Sequence, residues 1–332
     1  MGSEMCIRDR EYMPAIIYTT HAGPELGNAF ADVISGRYSP AGRLAQTWYK
    51  SEYELAPIEC YNIIENDMTY LYYRGKPLYP FGYGLSYARF EYSDFDVREN
   101  GDVISVSLDV TNVSETDSDE VVQIYFRMEN PSVKRPLRQL VAFAREHIKG
   151  GSKRHFEFDI KKSELRFYDV SRERFAVEQG RYTFMAGASS EDIRLTKTID
   201  ISGEKIPPRE LCKGIKAKNY NGKYGAKMKY SKKSEQHYML GGGLIYNNCV
   251  LGDADSIEIV CGSRVNTGKI TVRYGGETLC EAEVKPTVDV TKFETVTAQF
   301  DKAVLAGIDR EKPAVFELWM PEQIYILGFR TY

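Results

Sequence analysis

The stretch Pro77-Leu78-Tyr79-Pro80-Phe81-Gly82-Tyr83-Gly84-Leu85-Ser86-Tyr87, here called the exit segment, separates two kinds of pattern in this 332-residue sequence. Its glycines permit tight backbone turns, and we expect Phe81, Tyr83 and Tyr87 to pack against a neighbouring domain. A phosphate-binding loop is excluded, because no helix comes after it and the Lys-Ser/Thr pair of a P-loop is missing. The segment therefore predicts a structured junction between domains.

Before the exit segment, the pattern is that of one strand followed by one helix. The apolar run 14–18 predicts a strand buried on both faces. Pro24 and Glu25 suit the first turn of a helix, and Gly36 suits its end. The apolar residues between them fall on one helical face: Leu26, Ala29, Phe30 and Val33. One such unit cannot bury both faces of a parallel strand. We therefore expect the rest of this α/β domain to precede residue 11 in the parent protein.

After the exit segment, apolar and polar residues alternate. The alternation is clear in three stretches: 103–110, 155–160 and 181–201. Short alternating strands with polar turns between them predict a β-sandwich of about 100 residues. A linker with Pro207-Pro208 comes next, and then a lysine-rich stretch, 213–233, that we interpret as a solvated face rather than an anion-binding patch. Alternation returns in 257–284 and predicts a second all-β domain.

The predicted fold class is mainly β, with two β-sandwiches preceded by a truncated α/β segment. The predicted boundaries are 1–10 for non-native sequence, 11–88 for the α/β remnant, 89–203 for the first sandwich and 204–332 for the second. Residues 1–10 are set apart because they have no periodicity, no caps and no continuity with residue 11 onward. They resemble translated adapter sequence of the kind that contaminates metagenomic assemblies.

Composition excludes several classes of partner. The hydrophobic content is 42% and the formal net charge is -3, so a core is available and no strong field attracts nucleic acid or a membrane surface. No apolar run approaches the roughly 20 residues of a membrane span. The six cysteines form no C-x-x-C or His/Cys cluster, so no metal site is predicted. Unpaired thiols favour a cytoplasmic over a secreted bacterial location.

The first third of the chain resembles the C-terminal α/β sandwich domain of family 3 glycoside hydrolases. Residues 23–29 (GPELGNA) and 39–44 (SPAGRL) are similar to the closing helix and loop of that domain. Residues 69–73 (TYLYY) and the exit segment are similar to the stretch by which the chain leaves it. Because this run is long and rich in Gly, Pro and aromatic residues, the resemblance is specific.

The rest of the chain resembles the domains that come next in such enzymes. The markers of a fibronectin type III-like domain lie at 136–143, 165–168 and 187–193. Residues 210–332 resemble a family 6 carbohydrate-binding module, which implies a jelly-roll-like second sandwich. That resemblance rests on 236–239, 247–252 and 324–332.

The resemblance implies a retaining exo-β-glycosidase of the β-xylosidase or β-glucosidase type, which acts in carbohydrate catabolism on a β-linked oligosaccharide or polysaccharide of the xylan or glucan type. Retaining hydrolysis needs two carboxyl groups about 5 Å apart. In this family the nucleophile is an Asp of an N-terminal barrel, and the acid/base is usually a Glu that would precede Pro14. We therefore predict no catalytic residue and no cofactor in this chain, and the missing N-terminal barrel as its partner.

Two residues before the exit segment have alternative roles, and two others are expected to be structural. His21 and Glu25 are predicted on the rim of the parent enzyme's active site. Alternatively, Glu25 is a carboxylate favoured by the helix dipole, and His21 is a structural residue of a turn. Arg43 and Asp67 are expected to be structural, pairing with the backbone or with each other.

Sugar binding is the activity that the chain itself is predicted to retain. Tyr238 and Phe293 are candidates for stacking on a sugar ring, and Asn247 or Asn248 for bonding its hydroxyl groups. The alternative is that Phe293 is a core residue and Tyr238 anchors a turn. The acidic calcium ligand of the family 6 modules is replaced in 215–218, so calcium binding is not predicted.

Three functions remain open from the sequence. The leading hypothesis is a C-terminal fragment of the glycosidase that is inactive alone. The alternatives are a non-catalytic carbohydrate-binding protein and a structural scaffold that braces a catalytic domain.

Overall fold

The alternating stretches of the sequence form strands in the computed structural model, which describes residues 13–19, 23–232, 235–287 and 292–332. The chain divides into two units. The first is Met1–Leu165 with Gln179–Gly203, and the second is Arg166–Glu178 with Glu204–Tyr332. Strands dominate the described residues of both units, so the mainly β fold class is confirmed.

The part of the first unit before residue 89 contains short helices. These are α1 (Leu26–Ile34), a 3₁₀ turn (Glu52–Glu54) and α2 (Thr69–Tyr72). Helix α1 lies where the sequence predicts it, but none of its residues is buried, and Phe30 is 38% exposed. Residues 13–19 form no strand, because a β-strand is defined by pairing with a neighbouring strand and no described strand pairs with this range. The strand predicted over 14–18 is therefore wrong for this structure.

Residues 89–203 contain nine strands. In chain order they are β1 (Phe90–Asn100), β2 (Val103–Asn112), β3 (Ser118–Met128), β4 (Gln139–Ile148), β5 (Lys153–Lys161), β6 (Phe167–Asp169), β7 (Arg174–Ala176), β8 (Gly180–Gly187) and β9 (Ile193–Ile201), with a 3₁₀ turn at Lys162–Leu165. In the first unit, one sheet has the order β1-β2-β5 and the other β4-β3-β8-β9. All neighbours in both sheets are antiparallel.

The core of the first unit follows the period of two. Along β2, alternate residues are fully buried: Ile104, Val106, Leu108 and Val110. Each such side chain contributes about 1.5–3 kcal/mol through removal of apolar surface from water. Strands β3 and β8 differ, because residues on both of their faces are buried; Gln123 and Tyr125 are buried as well as Val122 and Ile124. Something must therefore cover the outer face of this sheet.

The exit segment covers the outer face of β3. The side-chain amide of Gln123 donates hydrogen bonds to the carbonyl oxygens of Gly82 (3.1 Å) and Ala188 (2.6 Å). Its own oxygen accepts a bond from the hydroxyl of Tyr125 (2.6 Å). The Phe81 carbonyl accepts a bond from the Ser190 N–H (2.9 Å). The backbone of Phe81 therefore bonds to the sandwich, while its ring stacks on Tyr70 (4.1 Å between ring centres). The packing predicted for Tyr87 is not found, because Tyr87 is 51% exposed and its hydroxyl donates to the Val33 carbonyl (2.8 Å).

The second unit holds the β6–β7 hairpin and the strands after residue 204. In chain order these are β10 (Arg209–Glu210), β11 (Ile215–Lys216), β12 (Gly222–Tyr224), β13 (Lys227–Ser231), β14 (Gln236–Val250), β15 (Ser256–Ser263), β16 (Gly268–Tyr274), β17 (Glu277–Val284), β18 (Glu294–Gln299) and β19 (Ala314–Thr331), with a 3₁₀ turn (Leu211–Lys213) and helix α3 (Lys302–Gly307). The hairpin is tied to this unit by Glu204, which pairs with Arg172 and Arg174.

Two long strands organise the second unit. Strands β14 and β19 pair antiparallel with each other, and each takes different partners along its length. Strand β14 also pairs with β10, β12 and β13, while β19 also pairs with β11, β15 and β16. The inward side chains of these strands form one apolar core that includes Leu244, Tyr246 and Phe316. The described lysines of 213–232 are exposed apart from Lys223, which is half-buried.

Gly82 tests how far the exit segment depends on Gln123. Its φ is +80°, and a Cβ added there would lie 2.0 Å from Oε1 of Gln123. We expect Gly82→Ala to lower the free energy of unfolding by about 3 kcal/mol, because a left-handed non-glycine residue costs about 1–2 kcal/mol and the buried amide loses partners at about 1–3 kcal/mol. Urea unfolding followed by Trp48 fluorescence, in a Trp319→Phe background, measures this.

Gly101→Ala is the matched control. Gly101 also has a positive φ (+65°), but a Cβ there meets nothing within 4 Å. It should therefore show the conformational cost alone, about 1 kcal/mol. Equal losses for the two variants would show that Gln123 yields to the new methyl group at no cost.

Candidate functional site

A buried ion pair joins the loop at 39–44 to the sandwich of the first unit. Arg43 Nη2 lies 3.0 Å from Oε2 of Glu120, and the two side chains are only 9% and 2% exposed. The hydroxyl of Tyr92 donates to the other carboxylate oxygen of Glu120 (2.7 Å). Burial raises the pKa of Glu120, although Arg43 and Tyr92 both favour its charged form. Burial and the neighbouring Glu120 carboxylate hold the pKa of Tyr92 well above its usual value.

A second arginine completes this cluster. The guanidinium of Arg194 lies 4.6 Å from the centre of the Tyr92 ring and donates to the carbonyl of Phe90 (2.9 Å). It also pairs with Asp192 at 3.0 Å. A buried carboxyl group with a raised pKa is often catalytic. Here both oxygens of Glu120 are occupied by Tyr92 and Arg43, so the geometry is that of a structural anchor.

Arg43 and Asp67 do not pair with each other; of the two expected partners, Arg43 has the backbone, since its Nη1 donates to the Gly42 carbonyl (3.2 Å). The carboxylate of Asp67 accepts a bond from Lys134 Nζ at 2.7 Å, and both side chains are more than 40% exposed. Surface pairs of this kind contribute about 0–1 kcal/mol. The expectation of a mutual pair is corrected because each residue finds an opposite charge on the sandwich, Glu120 on β3 and Lys134 after it.

Of the two residues predicted on the rim of an active site, the structure describes only Glu25. Glu25 is exposed and stands immediately before α1, and its carboxylate accepts a bond from Asn28 (2.5 Å). This position agrees with the alternative of a carboxylate at a helix start, where the dipole favours it. His21 lies outside the described residues. The rim role of both stays a prediction.

The predicted sugar-stacking aromatics are packed together in the second unit. Tyr238 is only 7% exposed, and its ring centre lies 6.0 Å from that of Phe293. Both rings pack edge-on against the fully buried Tyr325, at 5.6 Å and 5.3 Å. The Tyr325 hydroxyl is bonded to Thr287 (2.6 Å). Sugar stacking on Tyr238 would require this cluster to open.

The predicted asparagines lie at the other end of the same strand. Asn247 is nine residues from Tyr238 on β14, a separation of up to about 30 Å in an extended strand. The Asn247 N–H donates to Asn221 (2.8 Å), and Asn248 has a positive φ of 55° and bonds the Pro207 carbonyl weakly (3.5 Å). The structure therefore does not bring the four candidate residues into one site.

The described ranges hold neither a metal centre nor a reactive thiol among their buried cysteines. No three His, Cys, Asp or Glu side chains converge there as a metal centre requires. No helix in those ranges is long and apolar enough to cross a membrane. Cys249 and Cys261 are buried free thiols whose pKa is raised by burial to about 12, so both are protonated at neutral pH.

Comparison with known families finds two matches within the first 190 residues. Residues 1–87 match the model of the Glycosyl hydrolase family 3 C-terminal domain. Residues 120–190 match the Fibronectin type III-like domain. The resemblance of these two parts of the chain is confirmed. The resemblance of 210–332 to a carbohydrate-binding module stays a prediction.

Two similar proteins each match more than half of the chain. The Xylan 1,4-beta-xylosidase of Xylanibacter ruminicola is 34% identical over 200 residues, which cover 59% of this chain and 23% of that protein. The Thermostable beta-glucosidase B of Acetivibrio thermocellus is 34% identical over 196 residues, covering 54% of this chain and 26% of the relative. The matched region thus spans about a quarter of each relative's length.

Solved structures show the same relationship. Beta-glucosidase 3B from Thermotoga neapolitana aligns with a TM-score of 0.55 and 28% identity, over 60% of this chain and 30% of that one. The beta-glucosidase from Kluyveromyces marxianus, in complex with glucose, aligns with a TM-score of 0.50 and 31% identity, over 53% of this chain and 23% of that one.

Sequence reasoning missed the residues that fix the junction. Glu120 and Gln123 are polar residues within β3 (SDEVVQIYFRM), an otherwise largely apolar strand. A buried polar side chain requires a hydrogen-bonding partner. Their presence in this strand was the available signal that another segment covers it.

The Arg43–Glu120 pair can be tested by a double-mutant cycle. We expect Arg43→Met and Glu120→Gln each to lower the free energy of unfolding by about 3–5 kcal/mol, because each leaves an uncompensated buried group. The double variant should lose less than the sum of the two. The exposed pair Arg154–Glu146, cut by Arg154→Met and Glu146→Gln, is the control and should lose less than about 1 kcal/mol. Additive losses for the buried pair would contradict the cycle.

The same variants predict a pH dependence. Without Arg43, the pKa of Glu120, already raised by burial, should rise further. A folded-state pKa above the unfolded one makes the folded state bind more protons in that interval, so stability falls as pH rises through it. The destabilisation of Arg43→Met should therefore be smaller at pH 5 than at pH 8 in urea unfolding. The double variant Arg43→Met/Glu120→Gln lacks the ionisable group. If it and Arg43→Met lose the same free energy of unfolding at pH 5 and at pH 8, the pH dependence does not come from Glu120.

Proposed function

We propose that this chain is the C-terminal part of a retaining exo-β-glycosidase of family 3 that acts on β-glucosides or β-xylosides, and that it is inactive alone. The observation that carries the proposal is the match of residues 1–87 to the family's C-terminal domain, joined directly to a fibronectin type III-like sandwich. The catalytic nucleophile and the acid/base belong, in this proposal, to a barrel and an upstream α/β region outside this sequence.

The exposed apolar face of α1 supports the proposal. Phe30 is 38% exposed and Ile34 is 63% exposed, on a helix with no buried residue. A nine-residue helix is marginal in water without tertiary packing of its apolar face. In the proposed parent, the rest of the α/β domain packs on this face.

The positions of Glu120 and Glu25 also support inactivity of the chain alone. Glu120 is occupied by Arg43 and Tyr92, and Glu25 is an exposed residue beside a helix start. Retaining hydrolysis needs a pair about 5 Å apart that faces the substrate. A structural scaffold or a non-catalytic carbohydrate-binding protein remains the alternative, and the junction formed by Gln123 and Arg43 favours the scaffold among these.

The test is a comparison of this chain with a longer one. The reading frame is extended upstream in the source DNA, and both proteins are assayed on 4-nitrophenyl β-D-glucoside and 4-nitrophenyl β-D-xyloside. We expect hydrolysis of at least one substrate by the longer chain and no release above a buffer blank by this one. Glu25→Gln in the longer chain separates a rim role, which would change KM or kcat, from a helix-start role, which would not.

Two outcomes would overturn the proposal. Hydrolysis by this chain alone would mean that it holds its own catalytic pair. A frame that cannot be extended upstream, or an extended protein that hydrolyses neither substrate, would favour the binding or scaffold alternatives.

A further inference from the structure

Two parallel aromatic rings lie on the outer face of the second unit's sheet. Tyr224 on β12 and Trp319 on β19 have ring centres 5.6 Å apart and planes inclined by only 11°. Tyr224 is 60% exposed, and Trp319 is half-buried. We call this pair the aromatic platform. Neither residue was a candidate in the sequence, because the two are 95 positions apart.

A glycine between the two strands makes room for the indole of the platform. Gly243 of β14 pairs in register with Tyr224 on one side and with Trp319 on the other. A Cβ on Gly243 would lie 2.7 Å from the Trp319 ring, so only glycine lets the indole lie over the strand. The ring would otherwise be pushed outward and lose its alignment with Tyr224.

Polar groups stand beside the platform on the same face. Glu317 precedes Trp319 by two residues, and side chains two apart on a strand point the same way. Its Oε2 accepts a bond from the Trp319 indole N–H (3.3 Å) and lies 3.7 Å from Arg273 Nη1. The Glu317 and Arg273 side chains are 20% and 40% exposed, so both reach the surface. The indole is thus held in place by the carboxylate beside it.

The combination selects a class of ligand. A sugar ring has an apolar face that stacks on an aromatic and hydroxyl groups that bond carboxylate and guanidinium groups. Nucleobases also stack on aromatic rings, but nucleic acid binding needs a positively charged groove for the phosphates. The positive charge of Arg273 is compensated by Glu317, which favours a neutral ligand.

We propose that the aromatic platform, with Glu317 and Arg273, binds a neutral β-linked oligosaccharide. The choice of a β-linked ligand rests on the proposed glycosidase function; the choice of a neutral glycan rests on the platform alone. One sugar unit stacks on the exposed ring of Tyr224, which itself stacks on Trp319, and its hydroxyl groups bond the charged pair. The site is distinct from the packed cluster of Tyr238, Phe293 and Tyr325.

Isothermal titration calorimetry of the full chain with cellohexaose and with xylohexaose tests the proposal. We expect saturable binding of at least one of them, lowered about tenfold or more in affinity by Tyr224→Ala, which removes the stacking face. The matched control is Tyr230→Ala. Tyr230 is 52% exposed on the neighbouring strand β13, away from the platform pair, and its loss should change the affinity less than twofold.

Tryptophan fluorescence gives an independent readout. The chain contains only Trp48 and Trp319, so a ligand on the platform should change the emission of Trp319. The change should vanish in Trp319→Phe, a variant that keeps an aromatic ring, while calorimetry still detects binding. Circular dichroism of each variant confirms that the fold is retained.

Four outcomes would overturn the proposal. The first is no binding of either hexasaccharide by the folded chain. The second is loss of binding in Phe293→Ala but not in Tyr224→Ala, which would move the site to the packed cluster. The third is binding of maltohexaose, an α-linked glucan, in preference to both β-linked probes. The fourth is equal loss in Tyr224→Ala and Tyr230→Ala. Binding is measured without hydrolysis, so failure here leaves the proposed glycosidase activity standing. Loss of that activity would remove the argument for a β-linked ligand but not the argument for a neutral glycan.

Discussion

The side-chain amide of Gln123 is the contact on which the first unit depends. It lies buried on the outer face of β3 and reaches two carbonyl oxygens from separate loops, Gly82 in the exit segment and Ala188 after β8. Because a buried amide without partners costs about 1–3 kcal/mol, the strand and the two loops stabilise one another. Position 82 requires glycine, since its φ is +80° and a Cβ there would lie 2.0 Å from the amide oxygen of Gln123.

The Arg43–Glu120 pair anchors a second loop to the same sandwich. The Gln123 and Arg43–Glu120 contacts attach the exit segment and the loop at 39–44 to the sandwich, and these two segments contain few helices or strands of their own. The helix α1, by contrast, buries none of its residues. The first unit is therefore a sandwich with an attached junction and a helix that buries none of its residues, which is the arrangement expected if the family 3 domain continues upstream, as proposed.

In the second unit, glycine decides which aromatic residues are available. Gly243 leaves room for the Trp319 ring, which stacks on the ring of Tyr224; Tyr224 is 60% exposed and Trp319 is half-buried. Tyr238 and Phe293 instead close around Tyr325, which is fully buried. Aromatic content thus serves packing at one end of β14 and an open surface near its middle. The proposed sugar-binding role belongs to the open surface, because a stacking ligand needs an exposed ring face.

The sequence by itself determined the mainly β fold, the alternating strands such as 103–110, the helix at 26–34 and the resemblance of the first 87 residues to the family 3 C-terminal domain. These features rest on local periodicity and on one contiguous motif, the exit segment. Both are properties of short stretches of sequence. Tertiary structure alone decided what covers β3, which carboxylate pairs with Arg43, and that residues 166–178 belong to the second unit. It also separated Tyr238 from Asn247 and brought Tyr224 to Trp319. The contacts join residues far apart in the chain, and the separation concerns two residues of one strand. Both depend on strand register and sheet order, which no local pattern specifies.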